Sequence, residues 1–160
     1  VEHYGCDTIY SIRIKGIGFS HNKLKKDTKV IEIKPKVNLG SIILFDHESN
    51  KNNLILGYLD ALKVINKCDG FDYYFVLKKD KYYNRIVRNI SYEMITKLKA
   101  KYKVESNKDL LINVVEKILK QNKISNLELM NIKKQIKHIK KHLEIKDKTL
   151  KEFIFSCKTL

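Results

Sequence analysis

The sequence predicts an α+β protein: a small mixed β-sheet with one crossover helix over residues 1–80, then an all-helical, basic C-terminal half over residues 81–160. Three observations predict it. Alternating and β-branched runs fill the first half, apolar residues at helical spacing fill the second, and turn or cap residues sit where the period changes. With no internal repeat and no low-complexity linker between them, the two halves are expected to pack as one unit.

Residues 8–17 alternate, with Tyr10, Ile12 and Ile14 on one face and Ser11, Arg13 and Lys15 on the other, which predicts a half-buried strand. Ser20-His21-Asn22-Lys23 supplies turn chemistry, so a second strand over 28–37 is expected to form a hairpin with the first. Pro35 puts the end of that strand at an edge or terminus. The short apolar run Ser41-Ile42-Ile43-Leu44-Phe45 reads as a third, more buried strand. Asn50 is a plausible cap for a helix carrying Leu54, Leu56, Leu59, Leu62, Val64 and Ile65, which stops at Cys68-Asp69-Gly70. The aromatic and β-branched segment 71–77 then reads as a strand.

In the second half, Ile86, Ile90, Met94, Ile95 and Leu98 predict one helix over 85–103. Ser106-x-x-Asp109 and Ser125-x-x-Glu128 read as capping boxes for helices over 110–122 and 126–145. The latter keeps Leu129, Ile132, Ile136, Ile139 and Leu143 on one side, with Lys133, Lys134, Lys137, Lys140 and Lys141 on the other. Asp147 is positioned to cap a final helix holding Leu150, Phe153, Ile154 and Cys157.

The 160 residues are 43% hydrophobic and 32% charged, which places them among globular and not disordered chains. No apolar run approaches the ~20 residues needed to cross a bilayer, and no signal-peptide pattern opens the chain. Beginning at Val1 and not at Met, the sequence reads as a processed product or part of something longer. Cys6, Cys68 and Cys157 are scattered and odd in number, which argues against a disulfide framework and for an intracellular, reducing compartment. His3 and Cys6 have a ligand-like gap, but no second pair lies near them to complete a zinc site.

The net charge is +15, and it is uneven: residues 1–80 carry a balance of +3 and residues 81–160 a balance of +12. Such an excess is more than solubility requires and makes a polyanion the natural partner. Nucleic acid fits best; an acidic protein partner such as an inhibitor is the alternative. A membrane surface fits poorly, because the basic helices lack interfacial Trp and Phe anchors. The lysines of 126–145 are therefore candidate phosphate contacts. Tyr82 and Tyr83, close to Lys78, Lys79 and Lys81, are candidate stacking residues for bases. His138 and His142 are an i, i+4 pair, but on a lysine-rich helix they suit nucleic acid or solvent better than a metal.

Asp27-Thr28-Lys29-Val30-Ile31-Glu32-Ile33-Lys34 carries the chemistry of greatest interest. Glu32 and Lys34 are two residues apart on an expected strand and so share a face. A carboxylate that holds a divalent cation beside an ammonium that holds a phosphate is chemistry for cutting phosphodiesters. Two or more oxygen ligands are needed to retain Mg²⁺, so a second acid, Asp27 or Asp7, is required. The bland alternative is a surface strand on which Glu32 pairs with Lys34 or Lys36.

The strand order with Glu32-Ile33-Lys34 resembles the PD-(D/E)xK nuclease superfamily over residues 7–79. The resemblance implies a Mg²⁺-dependent nuclease acting on DNA or RNA, with Glu32 and either Asp7 or Asp27 as metal ligands and Lys34 as the catalytic cation. Asp7 opens the preceding strand; Asp27 gives the compact Asp-x4-Glu-x-Lys spacing similar to the MutH-like branch. No Pro precedes either Asp. The rival expectation from another class is a non-catalytic nucleic-acid-binding domain of a larger assembly. Ile55-Leu56-Gly57-Tyr58-Leu59-Asp60-Ala61 is similar to half of a LAGLIDADG helix, but Leu62 stands where that motif has its acid, and the segment is read as a core helix.

Overall fold

The computed structural model describes residues 4–12, 28–35 and 47–159. The fold is mixed α+β, and the chain divides into two compact units at Ile65/Asn66. The boundary falls before the strand expected over 71–77 to close the first half, so that segment belongs with the C-terminal helices.

In the first unit, β1 (Thr8–Ile12) and β2 (Lys29–Ile33) pair side by side. They run parallel, with Thr8 opposite Lys29 and Ser11 opposite Glu32, and not as the expected hairpin. A parallel pair cannot be joined by a tight turn; residues 13–27, with the expected turn at 20–23, lie outside the described residues, as does the expected strand over 41–45. The helix α1 (His47–Val64) begins before Asn50, which therefore lies inside it and does not cap it. Ile31 and Ile33 of β2, against which α1 packs, are half-buried. Tyr10 and Ile12 of β1 remain exposed at 56% and 73%, so the alternation seen in the sequence marks no core face there. Leu56, Leu59 and Asp60 of α1 are buried.

The second unit opens on Asn66, whose left-handed backbone (φ 56°) ends the turn after α1. β3 (Cys68–Asp69) pairs antiparallel with β4 (Tyr74–Val76), and Gly70 turns the chain between them at φ 113°. A side chain there would collide with the Tyr73 carbonyl, so glycine is required. Five helices and one more strand complete the unit: α2 (Asp80–Val87), α3 (Tyr92–Tyr102), α4 (Asn107–Gln121), β5 (Leu129–Met130), α5 (Ile132–His142) and α6 (Lys148–Ser156). β5 pairs parallel with the far edge of β4, with Phe75 opposite Met130.

The core is built around α4. Leu110, Leu111, Ile112, Val114, Val115, Ile118 and Leu119 are all buried, the pattern of a helix packed on most sides. α2, α3 and α5 pack on it, and α6 packs on α5. Ser106 caps α4 as expected: its hydroxyl oxygen accepts from the Asp109 N–H at 2.9 Å, and the hydroxyl donates to the Asp109 carboxylate at 2.7 Å, a side-chain bond in place of the box's return bond to the Ser106 N–H. Asp147 caps α6 as expected, accepting from the Thr149 and Leu150 N–H groups.

Two expectations for this half are corrected. The single helix over 85–103 is two, α2 and α3, separated where Ile90 turns into the core and Ser91 caps α3 by accepting from the Met94 N–H. The Ser125-x-x-Glu128 box starts no helix. Ser125 instead accepts from the Leu127 N–H in a local turn, because the next residues satisfy their backbone groups on β4. Asn131 caps α5 in its place, accepting from the Lys134 N–H at 3.2 Å. The C-terminal half is thus helical apart from this strand, which completes the sheet of the unit.

Candidate nucleic-acid interface

The helix α5 reads Ile-Lys-Lys-Gln-Ile-Lys-His-Ile-Lys-Lys-His and contains no acid. Burial of Ile132, Ile136 and Ile139 against the core fixes which side faces out. At 100° per residue, Lys134, Lys137 and Lys141 then fall within roughly 60° of one another, opposite the isoleucines, spanning about 10 Å along the axis. All three are exposed, and among the described residues none has a carboxylate partner. His138 and His142 are also exposed on the flank of this side, with ring centroids 5.2 Å apart.

The two remaining lysines of the helix behave differently. Lys140 turns back on the fold and donates to the Phe155 and Cys157 carbonyls, at 3.2 and 2.8 Å, across the C-terminus of α6. A cation there satisfies carbonyls that the helix leaves unpaired and opposes its negative end. It is therefore a packing element more than a phosphate contact. Lys133 lies over the ring of Tyr82, its ammonium 5.3 Å from the centroid.

The same ring receives a second cation, since the Lys78 ammonium lies 5.9 Å from its centroid. Tyr82 thus draws together a lysine just after β4, a position on α2 and the first turn of α5, positions separated by up to 55 residues. Burial raises the pKa of the Tyr82 hydroxyl, keeping it neutral in this cationic surrounding. Cations held over an aromatic face gain from its quadrupole while keeping their charge available to an anion. Lys79 and Lys81 beside this cluster are exposed.

Tyr83 does not join it. Its ring is fully buried, edge-on to Tyr82 with centroids 5.6 Å apart, and its hydroxyl donates to Asp69 at 2.7 Å. Burial first, then that hydrogen bond, raises its pKa, so it is a neutral core residue. A stacking role is incompatible with this position. The signal was available in the helical spacing of Tyr83, Ile86 and Val87, all buried on one side of α2.

Three acids are held by partners within the second unit. Asp69 is buried, ion-paired with Lys108 and hydrogen-bonded by Tyr83 and the Lys78 N–H. Glu116 is 4% exposed and accepts from three successive backbone N–H groups of the β3–β4 turn: Phe71 at 2.7 Å, Asp72 at 3.0 Å and Tyr73 at 3.2 Å. Desolvation outweighs these hydrogen bonds and raises its pKa above the ordinary value. Asp72 pairs with Lys120 at the surface. None of these roles is legible in the sequence, because each partner lies on a distant element.

The acid–lysine pair of β2 takes the simplest arrangement available to it. Glu32 and Lys34 share a face and form an ion pair at 2.7 Å, with side chains 34% and 56% exposed. Asp7 immediately precedes β1, and its carbonyl accepts from the Lys29 N–H. The register therefore puts Asp7 four positions before Glu32 along the pair, about 13 Å at the rise of a strand, too far for one Mg²⁺ bound at about 2.1 Å to each carboxylate. Asp7 and Glu32 do not fit a shared cation. Asp27 lies outside the described residues, and among the described residues no group of three His, Cys, Asp or Glu side chains is placed to hold a metal.

Compared with known proteins, the chain matches no family model, no curated protein and no solved structure. Among the described residues no helix is long and apolar enough to cross a membrane.

Proposed function

We propose that the chain is a nucleic-acid-binding protein that grips the phosphate backbone with the outer side of α5 and the adjoining Lys78–Tyr82–Lys133 cluster. The observation that carries this reading is the row Lys134, Lys137 and Lys141, exposed and without carboxylate partners among the described residues, on a helix that has no acid. Uncompensated ammonium groups at this spacing gain little from one another and much from a polyanion, whose condensed counterions they release. Lysines act as point charges with no base readout, so this part of the contact is insensitive to sequence and sensitive to salt. Fluorescence anisotropy with labelled duplex and single-stranded oligonucleotides at about 50 mM salt tests it directly. Binding that weakens steeply with salt is the expected result, and no binding to either form refutes the proposal.

A second reading, phosphodiester cleavage, rests on the meeting of Glu32 and Lys34 on one face of β2. With Asp7 out of reach, Asp27 is the remaining candidate to share a Mg²⁺ with Glu32. Plasmid and RNA cleavage with Mg²⁺ or Mn²⁺ separates the two readings. Cleavage lost in both Glu32→Ala and Lys34→Ala supports an enzyme, whereas a folded wild type that binds but never cuts leaves binding alone.

A further inference from the structure

His138 and His142 stand one turn apart on α5, on the flank that the buried isoleucines leave to solvent. The turn that carries them is held on two sides. Lys140 donates to the Phe155 and Cys157 carbonyls, while the Asn122 side chain donates to the Glu144 carbonyl at 2.9 Å and accepts from the Glu144 N–H at 3.2 Å. The Leu143 N–H closes the helix on the Ile139 carbonyl at 3.2 Å. His142, the last residue of α5, therefore sits on a fixed turn and not on a frayed end. The two imidazoles have centroids 5.2 Å apart and planes inclined at 41°, and among the described residues neither has a hydrogen-bond or ion-pair partner. A metal ion about 2.05 Å from an imidazole nitrogen lies about 3.2 Å from the ring centroid, so two such rings at the tetrahedral angle stand about 5.2 Å apart. The histidines already have that separation.

We propose that His138 and His142 chelate a divalent transition metal ion, with Zn²⁺ the best fit. The site stands independently of the nucleic-acid reading. Imidazole nitrogen selects Zn²⁺ and its transition-metal neighbours over Mg²⁺ and Ca²⁺, which prefer oxygen. The i, i+4 spacing on a helix brings both rings to one ion. The negative end of the helix lies in the same turn and favours a cation there. The neighbouring lysines oppose the ion less than their number suggests. An exposed ammonium roughly 8 Å from a doubly charged ion weakens its binding by about twofold at physiological salt. Lys134, Lys137 and Lys141, all exposed, therefore cost about eightfold together. A tethered second ligand gains roughly a hundredfold, which outweighs this. With two protein ligands the ion keeps two positions for water or an oxygen anion, so the site is an open docking cation and not a closed structural centre.

The test is calorimetric titration of the whole chain with zinc chloride alone, in wild type, His138→Asn, His142→Asn and the control His47→Asn. All three histidines are exposed, so the variants retain the fold, which circular dichroism verifies. Wild type should take up one Zn²⁺ at a site that each of His138→Asn and His142→Asn weakens by roughly a hundredfold and that His47→Asn leaves unchanged. Zinc held elsewhere on the chain survives all three substitutions and is thereby told apart. The imidazole NMR signals of His138 and His142 should shift together as Zn²⁺ is added and stay in place with Mg²⁺. Zinc uptake that is the same in wild type and in both α5 variants overturns the proposal. A loss in only one of them, or a shift of one ring alone, overturns the chelate as well, as does an equal response to Mg²⁺.

Discussion

Replacing Lys134, Lys137 and Lys141 together by Gln removes three charges from the outer side of α5 and little else. The side chains are exposed and make no ion pair among the described residues, so folding should change by less than about 0.5 kcal/mol. The electrostatic consequence is larger and can be worked out. Each lysine–phosphate contact on B-form DNA contributes about 0.9 to the slope of log K against log salt, so the triple variant should lose up to about 2.7. Between 50 and 200 mM salt that slope is worth about 1.6 log units. Wild type should therefore lose about 40-fold more affinity over this range than the variant does, and the two should converge at high salt. Anisotropy titrations at five salt concentrations measure it. A slope unchanged by the triple substitution refutes the assignment and moves the polyanion to another surface.

Two further predictions isolate residues with structural duties. Lys140→Gln should cost about 1–2 kcal/mol of stability, because its charged hydrogen bonds to the Phe155 and Cys157 carbonyls are lost, yet leave the salt slope nearly unchanged. A fall of about 0.9 in slope with no loss of stability would instead place Lys140 on phosphate. Glu116 provides a pH signature: with its folded pKa raised above the ordinary 4.5, protonation favours the folded chain. That contribution is full below 4.5 and is lost as pH rises through the folded value. In urea titrations, the stability of wild type relative to Glu116→Gln should therefore decline as pH rises from 4.5 toward neutrality, and an increase over the same window contradicts the assignment.

How far the fold was legible follows from where each structural cause sits. α4, α6 and their caps were readable because cap and helix are contiguous: Ser106 lies three residues from Asp109, and Asp147 three from Leu150. The break at residues 88–91 was missed because Ile90 continues the helical spacing of Ile86 while its backbone leaves the helix. β5 was missed for a different reason. Two residues, Leu129 and Met130, carry no periodicity of their own, and only the edge of β4, more than 50 residues earlier, makes them a strand. The parallel pairing of β1 and β2 was hidden likewise, since alternation reports a strand but not the direction of its neighbour.

The site divides along the same line. Charge on α5 was legible because it needs only composition and a helical period, and burial of Ile132, Ile136 and Ile139 leaves Lys134, Lys137 and Lys141 outward in any packing of this helix. Which lysines are free to act was not legible, because Lys140 is drawn to carbonyls at the C-terminal end of α6 and Lys133 to a ring on α2. Tyr82 and Tyr83 show how sharply tertiary context decides. One residue apart, they differ by about 100° around α2, so one ring becomes a platform for Lys78 and Lys133 while the other seals the core on Asp69. Glu32 and Lys34 mark the opposite case. Their shared face was fully predictable from strand geometry, but that geometry alone yields an ion pair, and a cleavage site needs a second carboxylate that Asp7, four strand positions away, does not supply. The cations of the second unit need no such partner, since on α5 position and charge already agree.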